Sequence, residues 1–115
     1  MRPENALQRL IRQYVAAAGF HSVHVPNGAV LSGGPEQRAR QMGSLKRDGL
    51  MPGFPDLLIY GRGQRIGHME IKTPKGRQED SQKAAQAWLE GLGHKYELVR
   101  SVDDAARALR TWGWI

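Results

Sequence analysis

The chain contains no cysteine. That excludes a disulfide framework and every thiolate zinc site, and it leaves oxygen or histidine ligands for any metal. No apolar run comes near the roughly 18 residues that cross a bilayer, and the start, "MRPENALQRL", has no signal-peptide hydrophobic stretch. A cytoplasmic protein with no membrane partner is therefore expected. Internal repeats, linkers and low-complexity tracts are missing, and the four histidines show no HExxH spacing, so they read as surface or packing residues. Acidic residues are the scarcer charge, with 11 Asp plus Glu against 17 Lys plus Arg.

What is present fits one globular domain over residues 1–115, because 40% hydrophobic and 24% charged residues suffice for a core and argue against disorder. The basic excess is uneven. Between Glu36 and Arg77 stand Arg38, Arg40, Lys46, Arg47, Arg62, Arg65, Lys72, Lys75 and Arg77 against four acidic residues. Such a surface suits a polyanion, and phosphate contacts supply most sequence-independent affinity for nucleic acid. An ordinary solvated surface is the alternative.

Leu7, Leu10, Ile11, Tyr14, Val15 and Ala18 recur at helical spacing, with Pro3 in the first turn and Gly19 at the end, which predicts a helix over 3–18. "HSVHV" alternates as a short strand before a turn at Pro26 to Gly28. A polar helix is expected between Pro35 and Lys46, so poor in apolar residues that it reads as a mobile, basic arm. "DLLIY" and "IGHMEIK" read as a hairpin around a five-residue loop, Gly61 to Arg65. A helix from about Asp80 to Leu92 follows, with Ala85, Trp88, Leu89 and Leu92 on one side, then the strand "YELVR" and a last helix capped by Ser101. The order predicts an α/β fold with a mixed sheet flanked by helices, including a parallel crossover from the hairpin to "YELVR".

The hairpin carries the chemistry. Side chains alternate along a strand, so Glu70 and Lys72 face one way while Met69 and Ile71 face the other. Pairing Tyr60 with Ile66 and Leu58 with His68 sets Asp56 opposite Glu70, and leaves Leu57, Ile59, Met69 and Ile71 as an apolar opposite face. Two carboxylates facing each other repel, and a divalent cation offsets that repulsion, since Mg²⁺ and Mn²⁺ favour oxygen ligands. The bland alternative is a surface ion pair between Glu70 and Lys72, worth about 0–1 kcal/mol.

"PGFPDLLIY", thirteen intervening residues after its Asp56, and then "EIK" resembles the PD-(D/E)-x-K nuclease superfamily, more narrowly a stand-alone VRR-NUC (virus-type replication-repair nuclease) domain. "ENALQ", "VPNG", "MEIKTPKGR", Gln82 and "GHKYELVRS" extend the resemblance over nearly the whole chain. It implies a restriction-endonuclease-like core. It implies Asp56, Glu70 and the Ile71 backbone carbonyl as ligands to Mg²⁺ or Mn²⁺, with Glu4 joining directly or through water. Lys72 would be the catalytic lysine and Gln82 a supporting glutamine. Glu4 and Gln82 also border the apolar arcs of their helices, where a polar group needs a partner. Arg38, Arg40, Lys46, Arg47, Lys75 and Arg77 would contact DNA.

The resemblance further implies metal-dependent hydrolysis of DNA phosphodiesters and a likeness to Holliday junction resolvases, which act as homodimers because two symmetric cuts need two sites about a two-fold axis. The shortness of the chain favours junction cleavage over action at DNA ends. A DNA-binding module without catalysis and a nicking or restriction-type nuclease are the rival readings. The last is weakened by the lack of a recognition helix.

Overall fold

A computed structural model describes residues 3–26 and 31–115. The elements in chain order are α1 (Pro3–Ala17), β1 (His21–His24), α2 (Pro35–Arg47), β2 (Leu57–Gly61), β3 (Arg65–Ile71), α3 (Asp80–Gly91), β4 (Lys95–Val99) and α4 (Val102–Thr111). The expected turn at Pro26 to Gly28 lies largely outside the described residues.

The four strands form one mixed sheet in the order β1-β2-β3-β4. β1 and β2 pair antiparallel, β2 and β3 antiparallel, and β3 and β4 parallel across the α3 crossover. The α/β sheet flanked by helices is therefore as the residue pattern predicts.

Period-two alternation divides the sheet into two faces. On one, Leu57, Ile59, Met69 and Ile71 are fully buried against Ile11 and Val15 of α1 and Ala105, Ala108 and Leu109 of α4. This is the core, with Trp112 closing one end and Trp114 in tilted contact with Phe20 and edge contact with Trp112. Ser101 caps α4 by accepting a 3.0 Å hydrogen bond from the Asp104 N–H, a contact that satisfies one of the helix's otherwise unpaired donors. On the other face α3 covers β4 through Ala85 and Leu89, above the buried Tyr96.

Two expectations change, and a third is narrowed. The hairpin loop is Arg62 to Gln64, because Gly61 and Arg65 still pair and left-handed Gly63 and Gln64 close the chain in three residues. Trp88 and Leu92 are 50% and 59% exposed rather than packed. Leu92 is the C-cap of α3 and lies past its packed stripe, while Trp88 flanks that stripe and lines an open cleft of about 360 Å³ with Val25, Leu50, Met51 and Phe54. His68, expected at the surface or in packing, belongs to the second class: it is 4% exposed, with edge contacts to Phe54 and His94.

α2 is a formed helix in which no residue is buried. Its start is tied down by Gln41, whose amide both accepts from the Ser32 N–H (3.1 Å) and donates to the Ser32 carbonyl (2.8 Å). A helix that buries nothing lies outside the core. The radius of gyration, 15.1 Å, accordingly exceeds the roughly 13 Å of a compact chain this size.

Candidate active site

Asp56 stands one residue before β2. Its Oδ2 accepts a 2.8 Å hydrogen bond from the Ile71 N–H, which fixes the carboxylate against β3. Its own carbonyl accepts from the Val25 N–H at 2.9 Å, and His24 Nδ1 lies 3.1 Å from the same oxygen. Both ends of the residue are thereby held between β1 and β3.

The segment leading into Asp56 is positioned by Gly53. Its φ of +77° belongs to the left-handed region, and a Cβ there would lie 2.3 Å from the Ser81 carbonyl and 2.5 Å from the Gln82 nitrogen. Only glycine lets this loop lie on the first turn of α3. The close approach brings Asp56 and Gln82 to one place.

Glu70 is 1% exposed and continues the register in which Leu57 pairs with Met69. Its Oε2 accepts a 3.0 Å hydrogen bond from Gln82 Nε2. The Gln82 amide is oriented in turn, because its Oε1 accepts from the Glu79 N–H at 2.8 Å at the start of α3. Glu70 Oε1 is buried and accepts no hydrogen bond from the protein.

Burial raises the Glu70 carboxyl most, the Asp56 charge and a hydrogen bond with the Asp56 carboxyl raise it further, Lys72 opposes the rise, and Glu4 adds to it. The result is a carboxyl pushed up to about 9. Burial and neighbouring like charge both disfavour the ionised form, so the protein alone supplies too little positive charge here. Lys72, the buried cation of the site, follows on the same face, and its N–H donates to the Val99 carbonyl at 3.0 Å.

Of the remaining residues singled out from the sequence, Glu4 is half-buried at the start of α1 and reaches Glu70 through its charge. Among the described residues, no group of three His, Asp or Glu side chains stands within metal-holding reach. A cation would therefore have Asp56 and Glu70 as its side-chain ligands, and would need backbone, water or phosphate oxygens for the rest. Lys75 and Arg77 are exposed in the turn after Lys72. Arg38, Arg40, Lys46 and Arg47 are all exposed on α2. At 100° per residue Arg40 and Arg47 share one stripe of the helix and Arg38 and Lys46 another, so the arm carries two basic edges.

Two features escape the sequence reading. Gln78 Nε2 donates to both Gln86 Oε1 (2.9 Å) and the Tyr96 hydroxyl (3.1 Å), forming a polar layer whose tyrosine is raised by burial and then by Glu70. Arg100 reaches across to the turn that follows Lys72. Neither carries a periodic signal.

The chain superposes on a solved VRR_NUC domain protein with a TM-score of 0.71 at 19% identity, over 97% of this chain and 88% of the other. A second solved structure, a VRR_NUC domain, gives 0.66 at 15% identity over 95% and 96%. This chain has the VRR_NUC fold. The resemblance read from "PGFPDLLIY", "EIK" and the outlying motifs thus holds for the architecture. No family model and no curated protein matches the sequence. Among the described residues no helix of this VRR_NUC-fold chain is long and apolar enough to cross a membrane.

Proposed function

We propose that the protein is a divalent-metal-dependent DNA endonuclease, acting as a homodimer on branched DNA such as a four-way junction. The observation that carries this reading is the buried Glu70 oxygen that accepts no hydrogen bond from the protein, beside a second carboxylate and a buried lysine. An unpaired buried carboxylate oxygen costs stability unless a ligand satisfies it. Oxygen donors of this kind fit Mg²⁺ or Mn²⁺ better than softer metals.

Asp56 and Glu70 would hold the ion, with the Ile71 carbonyl a further candidate and Glu4 near enough to act through water. When bound, the cation supplies positive charge for the phosphate in the transition state and acidifies the attacking water.

The protein's own groups do the rest. Ile71 N–H fixes the Asp56 carboxylate and Gln82 fixes Glu70, so neither ligand has to reorganise on binding. Lys72 lies on the same face and would stabilise the charge that gathers on the phosphate oxygens as water attacks in line. The new P–O bond forms on the water oxygen and the bond to the 3′ oxygen breaks, leaving a 5′-phosphate and a 3′-hydroxyl. Lys75, Arg77 and the basic edges of α2 would take neighbouring phosphates.

A pure DNA-binding module has no use for a buried carboxyl pair facing a polyanion. Incubation of labelled four-way junction and linear duplex with Mg²⁺, Mn²⁺ or EDTA separates the readings. Metal-dependent cutting that favours the junction is expected, with sedimentation giving a dimer. Binding without cutting in either metal would overturn the nuclease reading.

A further inference from the structure

β3 and β4 end side by side, with Ile71 opposite Val99 and the Lys72 N–H on the Val99 carbonyl. Beyond that point the chain from Lys72 turns through Thr73, Pro74, Lys75, Gly76 and Arg77, while the chain from Val99 continues into Arg100. The turn is closed by the Gly76 N–H donating to the Thr73 carbonyl at 3.0 Å. It lies directly over the catalytic-lysine candidate, since a Cβ at Gly76 would stand 3.5 Å from Lys72 Cδ and 3.1 Å from Thr73 Oγ1.

Arg100 spans the gap. One guanidinium nitrogen, Nη1, donates to the carbonyls of Thr73 (2.7 Å) and Gly76 (2.6 Å), with a longer contact to Pro74 (3.4 Å). Its backbone is anchored as well, because its N–H donates to Asp104 Oδ2 at 2.9 Å in the capped first turn of α4. Among the described residues its guanidinium pairs with no carboxylate. Arginine hydrogen bonds to carbonyls are charge-assisted and geometrically specific, so these set the shape of the turn.

We infer that Arg100 is a positioning residue of the DNA-binding surface: it holds the turn over Lys72 so that Lys75 and Arg77 present their charges to the phosphate backbone. The inference rests on the nuclease reading and deepens it. Arg100 acts through the two exposed cations and contacts no phosphate itself.

The test is a double-mutant cycle on a fluorescent four-way junction in EDTA, with binding measured against salt concentration. Each phosphate contact contributes a slope of about 0.9 in log K against log salt, so losing two flattens the slope by about 1.8 and weakens binding about 30-fold at 0.15 M salt. Arg100→Gln should show that loss. The pair Lys75→Gln/Arg77→Gln should match it, and all three together should add little. Arg100→Lys keeps the charge with shorter reach and should lose less. Should Arg100→Gln melt below the assay temperature, Arg100→Lys carries the same cycle, and its smaller deficit should likewise vanish in the Lys75→Gln/Arg77→Gln background. Wild-type slope in Arg100→Gln, or a deficit that adds in full to that of the pair, overturns the assignment of Arg100. Failure of the wild-type protein to bind or cut DNA is a separate result, and it overturns the nuclease reading beneath.

Discussion

Glu70→Gln removes a titrating group from the centre of the site while keeping its shape. In the wild-type protein without metal the Glu70 carboxyl is pushed up to about 9 from an ordinary 4.5, chiefly by burial and next by Asp56. Its contribution to stability is complete below pH 4.5 and is lost as pH rises through about 9, because in that window the folded protein keeps a proton that the unfolded chain has released. One proton corresponds to about 1.4 kcal/mol per pH unit, so raising pH from 7 to 8.5 costs at most about 2 kcal/mol. For a chain of this length that lowers Tm by roughly 8 °C.

His68 works in the opposite sense and at lower pH. It is lowered to about 4 by burial and then by His94, so its part of the stability rises between about pH 4 and 6.5 and is complete by pH 7. The window from 7 to 8.5 therefore isolates Glu70. In Glu70→Gln the amide oxygen can still accept from Gln82 and the amide nitrogen can donate to Asp56, and nothing titrates. Calorimetry in EDTA at pH 7 and 8.5 should find wild-type Tm falling and Glu70→Gln nearly flat, with the variant more stable at the higher pH. A wild-type Tm that is flat or rising, or a variant that falls as steeply, would refute the reasoning.

Binding of Mn²⁺ must displace the Glu70 proton, so the Tm increase it gives should grow from pH 7 to 8.5 and disappear in Asp56→Asn; equal increases at both pH values would count against the carboxyl pair as the binding site. Gln82→Ala strips Glu70 of the hydrogen bond that Gln82 donates to it. It should cost about 1–3 kcal/mol and weaken Mn²⁺ by about 10- to 100-fold in titration calorimetry, and wild-type affinity would show that Gln82 is only a helix-start residue. Gly53→Ala combines a left-handed φ with overlap onto the Ser81 backbone, so it should cost about 3 kcal/mol or more in denaturant melts; a loss under about 1 kcal/mol would mean the loop is free to shift.

The hairpin was legible because its information is local and periodic. Alternation from Leu57 to Tyr60 and from Ile66 to Lys72 fixes both faces, and one buried face forbids a slip of register. The placement of Asp56, Glu70 and Lys72 on one side follows from that alone. Helix spans followed equally from spacing and caps, as at Ser101.

What stayed hidden depends on contacts between distant parts of the chain. Trp88 sits in an apolar helical pattern, yet its exposure is decided by how far α3 overhangs β4. The five-residue loop shrank to three because Gln64 takes a left-handed conformation that its side chain does not announce. Arg100 meets carbonyls 24 to 27 residues earlier in the chain, and a backbone acceptor leaves no mark in a sequence.

The central claim is that Asp56 and Glu70, with a divalent cation and Lys72, form a centre that hydrolyses phosphodiesters. Single-turnover cleavage of a labelled four-way junction in Mn²⁺, compared between wild type, Asp56→Asn and Lys72→Ala, tests it most directly. Both variants should fold, bind the junction within about threefold of wild type in EDTA, and cut at least about 10³-fold more slowly, a loss of about 4 kcal/mol of transition-state stabilisation. A folded variant of either kind that cuts at the wild-type rate with metal present would contradict the account.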